Sequence, residues 1–169
     1  MKRTQGTTLL ELLMTLSIAA IIATLAVPAF SDFLSRQQLR SGTRNLYQAL
    51  TITRATAVSR ATTVSLTNND GDWATGMTLY IDDNSNGVLE SGEQVLRHFP
   101  PRQPLRIRGN RWVADYVSYR ADGSAHTANG AFQVGTLSLC HPERLDEIRL
   151  VISIGGRVRR EASGNQPCL

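Results

Sequence analysis

Between Leu12 and Phe30 the chain carries no charge, and Thr15, Ser17 and Thr24 are its only polar residues there. These 19 residues make a helix of roughly 28 Å at about 1.5 Å rise each, close to the ~30 Å hydrocarbon core of a bilayer. Lys2 and Arg3 precede the run and are expected to hold that end in the cytoplasm. The remainder of the chain is then expected on the far side of the membrane.

A cleaved secretory signal is the simplest reading of a basic start followed by an apolar run. Two residues argue against it. Glu11 lies within the apolar stretch, where a lone carboxylate costs about 2.5–3.5 kcal/mol, a cost a disposable segment has no reason to carry. Gly6 precedes the hydrophobic run, whereas signal peptidase needs small residues after it. The order charge, Gly6, Thr7-Thr8-Leu9-Leu10-Glu11, apolar helix resembles the class III leader of type IV prepilins. The usual pattern is Gly followed by Phe-Thr-Leu-Ile-Glu; Gly6, Thr8, Leu9 and Glu11 match, while Leu10 replaces Ile and Thr7 replaces Phe. The resemblance implies that prepilin peptidase cuts after Gly6, methylates the new amino terminus at Thr7 and leaves the apolar helix in place. Pro28 falls where pilins commonly kink this helix. A buried Glu11 needs a partner, and the new amino group of a neighbouring subunit's Thr7 supplies one.

The expected layout is α+β. A leader at 1–6 is followed by a transmembrane and pilus-core helix at 7–30 and a periplasmic head at 31–169. The head divides into an amphipathic helix half, 31–60, and a β-rich globular part, 61–169. Leu39, Leu46 and Leu50 recur at helical spacing, with Ala49, Ala57 and Val58 beside them. Arg36, Arg40 and Arg44 share one face of that helix, either as a solvated stripe or as a surface against neighbouring subunits. The alternating residues at 62–67 place the helix end near Arg60. Strands are expected at 62–67, 76–81, 94–99, 105–108, 111–119, 131–140, 147–154 and 157–160, broken by turns and by Pro100, Pro101 and Pro104. One long helix followed by many short strands argues for an antiparallel sheet packed on the helix, the layout of a type IV pilin.

The formal charge of +4 falls by two once Lys2 and Arg3 leave with the leader. Lys2 is the only lysine, so every base that remains is arginine. Arginine suits bidentate contact with phosphate, although a GC-rich genome yields the same usage. Cys140 and Cys168, both beyond the membrane, are expected to form a disulfide that ties down the C-terminal end.

Two stretches carry candidate chemistry. In 82–93, Asp82, Asn84, Asn86 and Glu93 take the 1, 3, 5 and 12 positions of a calcium loop, with Gly87 at the turn. The flanks read as strand where an EF-hand needs helices, so a polar hairpin loop is the alternative and calcium is not expected as a resident cofactor. Trp73, Gly76, Asp82, Asn84, Gly87, Glu93 and Leu96 resemble a segment common in GspH/FimT minor pilins and pseudopilins.

The second stretch is Gly155-Gly156-Arg157-Val158-Arg159-Arg160. A Gly-Gly turn lets backbone approach a ligand closely. As a strand it turns Arg157 and Arg159 to one face and Val158 and Arg160 to the other. Three arginines beside Arg149 concentrate charge for phosphate; an edge strand blunted against aggregation has the same composition. Gly156-Arg157-Val158-Arg159 resembles the Gly-Arg-x-Arg motif of FimT-type minor pilins, which bind DNA during natural transformation. The resemblance makes Arg157 and Arg159 phosphate contacts, with Arg160 and Arg149 extending the patch, and implies double-stranded DNA held without sequence preference.

No catalytic role is expected. His98, His126 and His141 are isolated, without metal-ligand spacing, and no phosphate loop, nucleophile elbow or zinc-protease motif occurs. Trp112, Tyr116 and Tyr119 are expected mainly in the core. The chain thus reads as a minor pilin of the GspH/FimT kind, inserted in the inner membrane, processed by prepilin peptidase and assembled with other pilins at the cell surface. Three roles stay open: a DNA receptor, a structural minor pilin or type II secretion pseudopilin, and a calcium-stabilised scaffold.

Overall fold

The computed structural model describes residues 8–163. It forms two compact units, Met1–Gln37 and Gln38–Leu169, and one long helix, α1 (Leu9–Arg60). Gly6 and Thr7, and with them the expected cut and methylation, lie outside the described residues, as does Cys168.

In the first unit α1 begins at a cap. The Glu11 N–H donates to Thr8 Oγ1 at 3.3 Å, which satisfies one of the helix's orphan amides. Glu11 itself sits in the first turn, where the helix dipole favours a carboxylate. The three polar residues of the apolar run present no free hydroxyl. Thr15, Ser17 and Thr24 donate to the carbonyls of Leu12, Leu13 and Ile21 at 2.7–2.8 Å, so each is satisfied without water. No side chain from Thr8 to Leu34 is buried. The segment is long and apolar enough to cross a membrane, and α1 continues through Pro28.

In the second unit Leu39, Leu46, Ala49, Leu50 and Ala57 are buried. Thr43 and Thr53 join them because their hydroxyls donate to the i−4 carbonyls of Leu39 and Ala49. Val58, expected beside them, is half exposed instead. At Gly42 an added Cβ would overlap the Leu105 side chain, so the missing methyl lets Leu105 lie on the helix.

The strands divide into two antiparallel sheets, where the sequence suggested one. β1 (Val64–Asn69), β2 (Asp72–Ile81), β3 (Val95–Phe99) and β5 (Tyr116–Tyr119) pair in the order β3-β2-β1-β5. β4 (Arg106–Gly109), β6 (Gly135–Cys140), β7 (Glu147–Ile152) and β8 (Val158–Ser163) pair in the order β4-β6-β7-β8. Pro100, Pro101 and Pro104 follow β3 and cannot extend its ladder, because proline has no N–H to give. The chain leaves the first sheet there, starts the second with β4, and returns for β5. Both sheets contribute to one core with α1, including Leu66, Trp73, Leu79, Leu137, Leu139 and Leu150.

Two expected strands are shorter than their letters suggested. Within 111–119 only the last four residues pair; Val113 N–H donates to Asn110 O at 2.9 Å in a turn that leaves Trp112 exposed. Within 131–140 the strand starts at Gly135 because buried Gln133 replaces a ladder with its side chain. Its Nε2 donates to Trp112 O and Tyr116 O at 2.7 and 2.9 Å, and its Oε1 accepts from Ser118 N–H at 2.9 Å.

Candidate nucleic-acid interface

The arginine-rich stretch is the outgoing arm of the β7–β8 hairpin. Gly156 N–H donates to Ser153 O at 2.8 Å, and Ser153 N–H donates to Arg157 O at 3.0 Å. Gly156 has φ +72°, and a Cβ there would lie 2.2 Å from Gly123 O and 2.9 Å from Tyr119 Cε1. The glycine is therefore required, but for a reason the sequence did not reveal. It is buried, and the close approach it permits is to this chain's own backbone, not to a ligand.

Arg54 completes that junction. From α1 its Nε donates to Gly123 O at 2.8 Å and its Nη2 to Gly155 O at 3.0 Å. One guanidinium fork thus clamps the 122–124 turn and the hairpin turn to the helix. The hairpin is located by backbone contacts and a charged donor, so the following side chains start from a fixed base.

The register of β8 on β7 sets the faces. Val158 lies opposite Ile152, Arg159 opposite Val151, Arg160 opposite Leu150, and Glu161 opposite Arg149. Since paired residues share a side, Val158 and Arg160 fall on the side of the buried Ile152 and Leu150, and Arg159 on the outer side. Arg160 nevertheless remains exposed because β8 is an edge strand. Arg157, Arg159 and Arg160 are all exposed.

Their charges are not equally available. Arg159 pairs with Glu161 at 2.8 Å. Arg149 holds Glu147 through Nε at 3.0 Å and Nη2 at 3.3 Å. That hydrogen-bonded guanidinium keeps the Glu147 carboxyl below its ordinary range, so the pair persists at neutral pH. Arg157 and Arg160 have no side-chain partner among the described residues. The five residues singled out from sequence therefore separate: Gly156 is structural, Arg149 and Arg159 are neutralised within the chain, and Arg157 and Arg160 are free cations. A cleft lies between this strand and the helix, lined by Tyr47, Thr51, Arg54 and residues 156–160.

The 82–93 loop closes on itself. Asp82 is buried, its Oδ1 accepting from Asn86 N–H at 3.0 Å and its Oδ2 from Gly87 N–H at 2.9 Å and Ser65 Oγ at 2.7 Å. Glu93 accepts from the Asp83 and Glu90 amides at 3.2 and 2.9 Å, and Asn84 and Asn86 accept from the backbone and donate to Glu90. The spacing that resembled calcium ligands thus builds a hairpin of side-chain-to-backbone bonds. Among the described residues no group of His, Cys, Asp and Glu is arranged to hold a metal.

The remaining candidates stay apart. His98 faces Thr78, His126 faces Ser124 and the Phe132 ring, and His141 Nε2 meets Gln38 Oε1 at 2.9 Å. Tyr119 is buried as expected, whereas Trp112 is exposed under the Arg111 guanidinium. Cys140 is buried at the end of β6.

A long helix packed on antiparallel sheets is the fold of a type IV pilin. The type IV minor pilin FimU of Pseudomonas aeruginosa superposes with a TM-score of 0.60 over 79% of this chain and 98% of FimU, at 24% identity. The minor pseudopilin EpsH from the type 2 secretion system of Vibrio cholerae superposes at 0.53 over 75% of this chain and 98% of EpsH, at 12% identity. Residues 42–156 match the family described as type II transport protein GspH, and the chain belongs to that family of minor pilins and pseudopilins. The pilin-like protein PilA1 of Thermus thermophilus is 34% identical over 105 residues, 62% of this chain. The match spans 65% of that relative's length.

Proposed function

We propose that this chain is a minor pilin cut after Gly6 by prepilin peptidase, assembled through its apolar helix with other pilins, and equipped to bind double-stranded DNA for uptake. The head then lies on the periplasmic side before assembly and at the cell surface afterwards. The observation that carries the DNA reading is the pair of free, exposed cations Arg157, just before the edge strand β8, and Arg160 within it, on a hairpin that Arg54 and Gly156 hold in place. Arg159 and Arg149 join them by exchanging Glu161 and Glu147 for phosphate. Contacts to phosphate alone carry no sequence information and release counterions, so binding is sequence-independent and steeply salt-sensitive. With few contacts per subunit, affinity rises when several subunits engage one duplex.

The neutralised pairs at Arg149 and Arg159 favour a second reading, a structural minor pilin or secretion pseudopilin whose β8 is a charged edge. Titration of a fluorescent duplex with the full chain in non-ionic detergent separates the two. Wild type is expected to bind at low salt and weaken at moderate salt, while Arg157→Gln/Arg160→Gln stays folded and loses binding. Absence of wild-type binding at low salt, or equal binding by the double variant, overturns the DNA reading.

A further inference from the structure

We infer that the phosphate-binding surface is a cleft with two walls, β8 on one side and an arginine-bearing stripe of α1 on the other, and that its ligand is the sugar-phosphate backbone of duplex DNA. The inference rests on the DNA reading above and adds Arg40 and Arg44 to it.

The helix wall follows from spacing. Tyr47, Thr51 and Arg54 line the cleft opposite residues 156–160. At about 100° per residue, positions 40, 44, 47, 51 and 54 fall within about 80° of arc, so Arg40 and Arg44 continue the cleft-lining stripe toward the start of the head. Both are exposed, and neither has a partner among the described residues. Between these cations and Arg54 the wall holds Tyr47, which is 43% exposed, and Thr51, whose hydroxyl donates to Tyr47 O at 2.8 Å. Among the described residues no acidic side chain lines the cleft.

Shape favours a polymer over a small anion. Arg40 to Arg54 spans about 21 Å of helix axis at about 1.5 Å per residue. Duplex DNA presents one negative charge per roughly 1.7 Å of its axis, so a rank of separated guanidinium groups on two walls matches a line of phosphates. Arg54 itself is occupied by Gly123 O and Gly155 O, and acts as a positioning residue that sets β8 against the helix. The outer face of the second sheet is a poorer candidate. It carries Arg106, Arg108, Arg149 and Arg159 by register, but Glu147 and Glu161 stand among them and hold two of the four.

The test is the salt dependence of duplex binding by the full chain in non-ionic detergent. Arg40→Gln/Arg44→Gln is expected to weaken binding and to lower the slope of log K against log salt by about 2, since each duplex phosphate contact contributes about 0.9. Arg40→Lys/Arg44→Lys keeps the charge and is expected to keep the slope, with helical circular dichroism unchanged in both. If the glutamine pair leaves affinity and slope unchanged while Arg157→Gln/Arg160→Gln removes binding, the helix wall is refuted and the DNA reading stands. If the glutamine pair instead loses only attachment to anionic-lipid nanodiscs, the stripe serves lipid phosphate and the inference fails. Wild type that does not bind at low salt removes both.

Discussion

At the scale of single residues, Gly156 and Arg54 decide whether the arginine strand has a place to stand. Gly156 adopts a left-handed backbone and touches Gly123 O, a contact that leaves no room for a methyl group. Gly156→Ala is expected to cost about 1–2 kcal/mol for the left-handed backbone and about 1–3 kcal/mol for the overlap. A thermal melt of the full chain in detergent measures the sum, and an unchanged midpoint contradicts the packing role. The glycine's importance was visible in sequence; its reason was not. Gly123 is 33 positions earlier and Arg54 is 101 residues from Gly155, so no local pattern links them. Arg54 in particular sits in a helix whose stripe of Arg36, Arg40 and Arg44 reads as a solvated face or a surface against neighbouring subunits, and only the fold shows that its own charge is spent on two carbonyls.

At the scale of elements, β8 is an edge strand whose charge is partly held in check. The Arg159–Glu161 pair is well exposed, 64% and 47% by side chain, and such a pair contributes only about 0–1 kcal/mol to stability. Glu161→Gln is therefore expected to leave the melting point nearly unchanged, to release Arg159 and to tighten duplex binding with a steeper salt slope. Weaker or unchanged binding in the anisotropy titration contradicts a role for Arg159. The helix was the most legible element, because leucine spacing and the β-branched run after Arg60 give its extent; α1 ends at Arg60. Strands β1 to β4 were found close to their places. The errors came where β-prone letters fill turns: 111–115 contains Trp and Val, yet the Val113–Asn110 bond makes a turn. In the same way the Asp82-x-Asn84-x-Asn86-Gly87 spacing was legible as a loop, while the bonds from the Asn86 and Gly87 amides to Asp82 were not.

At the scale of the molecule, the two halves of α1 answer to different solvents. The first unit leaves every apolar side chain from Leu9 to Leu34 unburied, and the hydroxyls of Thr15, Ser17 and Thr24 are returned to the helix backbone. That surface demands lipid or neighbouring helices, and Glu11 within it demands a positive partner. The head carries its own core and displays arginines that its packing does not use. On the reading proposed above, the helix serves assembly and the cleft serves the ligand. The separation was legible in sequence through the apolar run and the GRVRR stretch, but the proposed helix wall of the cleft was not, because only the fold sets the stripe through Tyr47, Thr51 and Arg54 opposite β8. The most direct measurement images fluorescent duplex DNA on labelled pili, in cells producing Arg157→Gln/Arg160→Gln or Glu11→Ala in place of the wild-type chain. The account predicts that Glu11→Ala is missing from pili, while the arginine variant is incorporated normally into pili that no longer hold DNA through this subunit. Loss of pili with the arginine variant, or undiminished DNA on them, would contradict it.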